Sequence, residues 1–131
     1  MDVLNSLIKE ADNFISLQPV SASKIQEAED KLGLSFAEDF KEYLAEFGVA
    51  SFNGKELTGI CDSERLSVVS ITEKARHDYP QFPKNAYVIE DLYIDHILIL
   101  QDCSGKVYAF APDDYGREIA GTLKEYLFPN A

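Results

Sequence analysis

The chain has 131 residues, with 12 Lys plus Arg against 23 Asp plus Glu, a formal charge of −11. That balance argues against direct binding to nucleic acid or anionic lipid, whose phosphates want a basic face; it suits a basic protein partner, or solubility alone. The length suggests one domain, residues 1–131, able to bury most of a single core, and the 46% apolar and 27% charged content is that of a soluble globular protein.

The first segment, "DVLNSLIKEADNFI", puts Val3, Leu4, Leu7, Ile8, Ala11, Phe14 and Ile15 on one helical stripe, with Asp2 as N-cap, and predicts a helix over about 2–16. The start lacks a basic region followed by an unbroken apolar core, so no signal peptide is expected. No apolar run is long enough to span a membrane. Cys61 and Cys103 are far apart in sequence and are read as free, inert thiols in a cytoplasmic protein.

Pro19 punctuates "SLQPVSAS", after which a second helix is predicted over 22–32. Ser21 is the preferred cap, because Val20 and Ile25 then form a hydrophobic staple; Ser23 with Gln26 is the competing capping box. Gly33 stops this helix in the left-handed region, with Leu34 folding back. A third helix over 36–47 opens with a Ser35–Glu38 capping box, turns Phe40, Tyr43, Leu44 and Phe47 to the core, and ends at Gly48. Glu29 lies partly on the core side of the second helix, beside the free N–H groups at the start of the third; a buried carboxylate needs such donors, so a structural role is expected of it.

Beyond Gly48 the pattern changes to strands. Asn53–Gly54 signals a hairpin. "LSVVSI" reads as a strand, and a Ser70–Glu73 capping box opens a short helix ended by Pro80. "AYVIED", "HILILQD" and "KVYAFAP" read as three strands, the middle one central and covered on both faces, with Ser104–Gly105 as the turn before the third. Thr122 and Glu125 cap a last short helix, "LKEYLF". The fold class is therefore α+β: N-terminal helices packed on a mainly antiparallel sheet, from about residue 55, with a short C-terminal helix.

The stretch "VSASKIQEAEDKLGLSFAEDFKEYLAEFG" resembles the N-terminal signature of the SUKH superfamily, through Ser21, Ile25, Glu29, Leu32, Gly33, Phe40, Leu44 and Gly48. The later strand segments and "TLKEYL" look like that family's sheet and closing helix. Phe36 departs from the pattern, where the family usually has a helix-starting Pro. The resemblance implies a binding protein without shared catalytic residues. Many bacterial members look like immunity proteins that neutralise a toxin, often a nuclease; others act as scaffolds or regulators.

The residues themselves hold little catalytic signal. There is no G-x-S-x-G, no G-x-G-x-x-G and no G-x-x-x-x-G-K-[ST]. His77–Asp78 lacks further ligands at metal spacing, and His96 is expected at the edge of the core. No enzyme activity, metal or cofactor is expected.

Acidic residues carry the binding expectation. In an antiparallel meander, the turn at 91–95 and a loop at 111–117 emerge at one end, so Glu90, Asp91, Asp95, Asp113 and Asp114 should converge with Tyr93 and Tyr115. Acid supplies steering and Tyr contact area for a basic protein, and solvation alone is the even alternative. Glu38, Glu42 and Glu46 form an i, i+4, i+8 row whose neighbours each cost a few tenths of a kcal/mol; this is the secondary candidate surface. Three functions remain open: an immunity protein for a basic toxin, a scaffold or regulatory module without one, and a hydrolase using carboxylates and His77.

Overall fold

The computed structural model describes residues 3–131 and, of Tyr115, the backbone alone. Asp2, the expected cap of the first helix, lies outside the described residues.

The first helix, α1, spans Val3–Glu10 and buries Leu4, Asn5 and Ile8. It stops well short of residue 16. Asn13 turns the chain at φ 58°, and Ile15–Ser16 becomes strand β1, paired antiparallel with Ala50–Phe52, β2. Two backbone-level bonds hold that turn in place: Asp12 N–H donates to Asn53 Oδ1 at 3.1 Å and Asn53 N–H to the Asp12 carbonyl at 2.8 Å. Partners supplied by a distant hairpin thus outweigh the helical periodicity of residues 11–16.

Helix α2, Ala22–Leu32, is capped locally. Ser21 Oγ accepts from Lys24 N–H at 3.3 Å, with the Ser23 hydroxyl 3.2 Å away. Gly33 closes the helix at φ 67°, donating to the Glu29 carbonyl at 2.8 Å, and Leu34 N–H folds back onto the same carbonyl. Helix α3, Glu38–Phe47, begins two residues later than the capping box required. Its N-cap position is Ala37, and no side chain caps it; Ser35 is exposed and does not form the expected box. Free donors before the helix are satisfied from outside it. The Glu29 carboxylate accepts from Phe36 N–H at 2.8 Å, and the Tyr87 hydroxyl accepts from Ala37 N–H at 2.9 Å. Gly48 ends α3 at φ 69°, where a Cβ would stand 2.3 Å from the Gln18 carbonyl oxygen.

Strand β2 turns through Asn53–Gly54, both at positive φ, into β3, Lys55–Glu56. The segment 66–71 is not a strand. A short 3-10 turn, Glu64–Leu66, leads into helix α4, Val68–Asp78, whose cap is Ser67, accepting from Ser70 N–H at 3.2 Å. Ser70 is inside the helix. Val68, Thr72 and Ala75 are its buried residues, and that helical spacing overrides the β-branched run.

Strands β4 (Ala86–Asp91), β5 (Leu98–Asp102), β6 (Val107–Ala111) and β7 (Asp114–Ala120) form an antiparallel meander in chain order. All of β5 is buried, as a central strand covered on both faces should be. Strand β7 replaces the expected 111–117 loop, so Asp114 and Tyr115 are strand residues beyond a two-residue turn. Helix α5, Leu123–Leu127, has Thr122 as cap, accepting from Glu125 N–H at 3.1 Å. On one sheet face Tyr87, Ile89 and Ile99 pack in the larger core with Phe36, Phe40, Tyr43 and Leu123. On the other, Val88, Leu98, Leu100 and Phe110 pack with Ala75 of α4 and Phe82. The result is α+β, with two antiparallel sheets among the described residues.

Candidate partner-binding surface

A β-bulge decides where the first acidic group points. In β4, Val88 pairs with Leu100 and Glu90 with Ile99, so Ile89 is the extra residue. A bulge sends two successive side chains to one face and shifts the next to the other. Glu90 therefore joins Ile89 on the α5 side, 5% exposed. Its carboxylate accepts from the Tyr126 hydroxyl at 2.6 Å and lies 3.7 Å from Lys55 Nζ, itself 4.9 Å above the Tyr126 ring. Burial, and then the bond to Glu90, push the Tyr126 phenol above its ordinary pKa. Glu90 is consequently a buried structural group, and the expectation that it faces a partner is corrected.

Asp91, shifted the other way, faces α4. Its Oδ1 accepts from Tyr93 N–H at 2.8 Å and starts a tight loop in which Tyr93, Asp95 and His96 hold φ of 56°, 52° and 58°. Non-glycine residues in this region are strained by about 1 kcal/mol each. Leu92 N–H donates to the Ile97 carbonyl and Ile97 N–H to that of Ile94, which fixes the loop. Tyr93 and Ile94 are 61% and 58% exposed at its tip. His96 is exposed as well, rather than at the core's edge.

Between this loop, the Glu64–Leu66 turn and α4 lies an open cleft of about 980 Å³. Ile71, Ala75, Tyr79 and Leu98 give it an apolar floor; Glu64, Asp78, Asp91 and Asp95 line it with acid. Its cations are already engaged. Lys74 Nζ holds Asp78 at 2.7 Å, raising the ammonium pKa and, together with His77, lowering that of the carboxyl. Arg65 grips Glu56 with both guanidinium nitrogens, the longer bond 3.1 Å, and the Glu56 carboxyl is held below its usual range. The ion pairs among the described residues leave out Glu64, Asp91 and Asp95.

Asp113 and Asp114 share the sheet end but not the cleft. The register runs Asp91 to Leu98, Leu98 to Phe110 and Phe110 to Tyr115, so β7 is three strand spacings away, roughly 14 Å. Asp113 is exposed in the turn; Asp114 lies 3.3 Å from Arg117. The Tyr115 side chain lies outside the described residues.

The acidic row on α3 is partly neutralised. Glu46 binds Lys9 at 2.6 Å and accepts from Asn5 at 2.9 Å, and the Lys9 bond lowers its pKa. Glu38 is 3.4 Å from Lys41, while Glu42 is exposed. Glu29, 7% exposed, is spent on Phe36 N–H, with Lys41 at 3.8 Å. His77 is exposed beside Asp78. Among the described residues no group of three His, Cys, Asp or Glu side chains is placed to hold a metal, and no helix is long and apolar enough to cross a membrane.

Sequence reasoning missed Glu64, Ile71, Asp78, Tyr79 and Ile94 as parts of this surface. The helix expected from Ser70 already carries Ile71, Ala75 and Asp78 on one face, at i, i+4 and i+7, and that row was the available signal.

Over residues 1–128 the chain matches the family described as SMI1-KNR4 cell-wall, SUKH_5. No curated protein matches it.

Proposed function

This chain belongs to the SMI1-KNR4 family of SUKH domains, and from that premise we propose that it is a non-catalytic protein-binding domain, an immunity protein that neutralises a basic bacterial toxin by direct contact. The observation that carries the reading is the loop after β4, where Asp91 and Asp95, in no ion pair among the described residues, stand beside an exposed Tyr93 and Ile94. Acid of this kind steers a cationic protein during encounter, and an exposed Tyr–Ile tip offers the buried anchor that slows release. Glu38 and Glu42 form the secondary surface, and Asp113 extends the first.

The words "cell-wall" in the family description favour a second reading, a scaffold or regulatory module with no toxin partner. Both readings use the same surface and part on what it binds.

The test is co-expression with a cationic toxin encoded beside the gene, followed by surface plasmon resonance on the purified pair. Immunity predicts restored growth and an association rate that falls steeply with salt. Growth arrest despite full expression, with no binding at low salt, would reject immunity and leave the scaffold reading.

A further inference from the structure

We infer that the cleft between α4 and the loop after β4 is a socket for one arginine side chain presented on an apolar loop of the partner. This inference deepens the binding reading above and rests on it for the partner, but the socket itself has a separate physical basis.

Three features of the cleft select that occupant. Its floor is apolar, from Ile71, Ala75 and Leu98, with the Tyr79 ring at one side. A partner group must therefore carry a methylene stem or flanking aliphatic side chains, since a compact, fully hydrated cation leaves that floor uncovered. Its two nearby cations are tied off in advance, Lys74 to Asp78 and Arg65 to Glu56, so neither has to be displaced for a positive group to enter. Asp91 and Asp95 remain, on a loop whose backbone is fixed before binding by the Asp91–Tyr93 bond and by the Leu92–Ile97 and Ile97–Ile94 bonds.

Charge complementarity on an immobile loop favours a rigid, planar fork over a flexible ammonium. A guanidinium can meet two carboxylates and lie flat on a tyrosine ring, with less ordering per bond than lysine needs. The cleft volume, about 980 Å³, exceeds a single side chain and has room for the residues on either side of the arginine.

The probe is acetyl-Leu-Arg-Leu amide, titrated into the isotopically labelled full chain and followed by amide NMR shifts. The expected result is saturable shifts confined to residues 71–79 and 91–98, half-complete at roughly millimolar peptide. Replacing arginine by citrulline, which keeps shape and removes charge, should abolish them. Asp91→Asn with Asp95→Asn should weaken binding by about 10-fold or more. Ser70→Arg, which puts a guanidinium on the cleft wall of an otherwise native helix, should block the peptide; dispersed spectra confirm that each variant is folded. Equal shifts with citrulline, no saturable shift, or shifts centred on Glu38 and Glu42 would overturn the socket. If the peptide binds as described but no cationic toxin does, the socket stands and the immunity reading falls. If a cationic toxin binds with residues 71–79 and 91–98 unmoved, the immunity reading stands and the socket falls.

Discussion

Helices α2 and α3 follow one another in the chain, and their starts are built in opposite ways. Helix α2 is capped from within its own segment, by Ser21 on Lys24 N–H. The start of α3 is satisfied by Glu29 from the preceding helix and by Tyr87, 50 residues away in the sheet. Tyr87 in turn donates to Gln101 Oε1 at 2.7 Å; Gln101 donates to Asp39 Oδ1 at 3.0 Å, and Asp39 Oδ2 accepts from Leu123 N–H at 3.0 Å. One buried polar chain therefore joins the starts of α3 and α5 to two strands. A cap formed locally can be lost without disturbing the rest of the fold, whereas a cap formed through the core couples helix start, sheet and second helix.

The comparison is broken most severely at Tyr87. Tyr87→Phe keeps the ring in the aromatic core but leaves the buried Ala37 N–H and Gln101 Oε1 without their partner, and should cost about 3 kcal/mol in urea unfolding. A loss under about 0.5 kcal/mol would mean that the hydroxyl is not what secures α3. Glu29→Gln keeps an acceptor for Phe36 N–H but removes the charge that strengthens the bond. A drop of about 1.5 kcal/mol is expected in the same measurement, with partner binding unchanged. Loss of binding at full stability would move Glu29 from structure to function.

A local acidic cap provides a pH test. Burial pushes the Asp102 carboxyl pKa up, but bonds from the Ser104 hydroxyl and backbone and from the Tyr108 hydroxyl outweigh it and hold the pKa below normal. The Tyr108 phenol is pushed up to about 12 by burial and by the same bond. A folded-state pKa below the unfolded one stabilises above the unfolded value, about 3.9, and that contribution is lost as pH falls through the folded value. Asp102→Asn should thus lower stability by about 1 kcal/mol at pH 7, and the gap to wild type should narrow as the pH falls below the unfolded carboxylate value in a thermal-melt series. A gap independent of pH would assign the effect to shape instead of charge. The smallest contrast lies in the two serines. Ser21→Ala should cost about 1 kcal/mol, and Ser35→Ala less than about 0.5 kcal/mol, because only Ser21 caps a helix. Equal losses would restore the Ser35 capping box in solution.

The candidate surface divides along the same line. That the residues around 91–95 form an acidic turn carrying a tyrosine was legible, because a meander of three apolar runs puts this turn at one end of the sheet. Which acid faces out was not. Strict alternation cannot anticipate the extra residue at Ile89, and that single residue sends Glu90 to Tyr126 and Asp91 to the cleft. Strand β7 was missed because Asp114–Ala120 has little apolar content to alternate; it is an edge strand whose register comes from β6. The helix from Ser70 to Pro80 was legible, but its start was not, because Val68, Val69 and Ile71 are β-branched, a strand signal that the Ser67 cap and the burial of Val68, Thr72 and Ala75 overrule.

The helices around Ser21–Gly33 and before Gly48, the Asn53–Gly54 hairpin, the buried central strand and the Thr122 cap are all legible in the residue pattern. The helices, the hairpin and the cap depend on interactions spanning only a few residues, and the central strand announces itself by an unbroken apolar run, so the local chain specifies them. Where α1 stops, what caps α3, and which face Glu90 and Asp91 occupy are settled by packing between elements. In those places the deciding hydrogen-bond partners and strand register lie on other elements, as with Tyr87, 50 residues from Ala37, and no local pattern encodes a donor or a bulge that exists only once the sheet has formed.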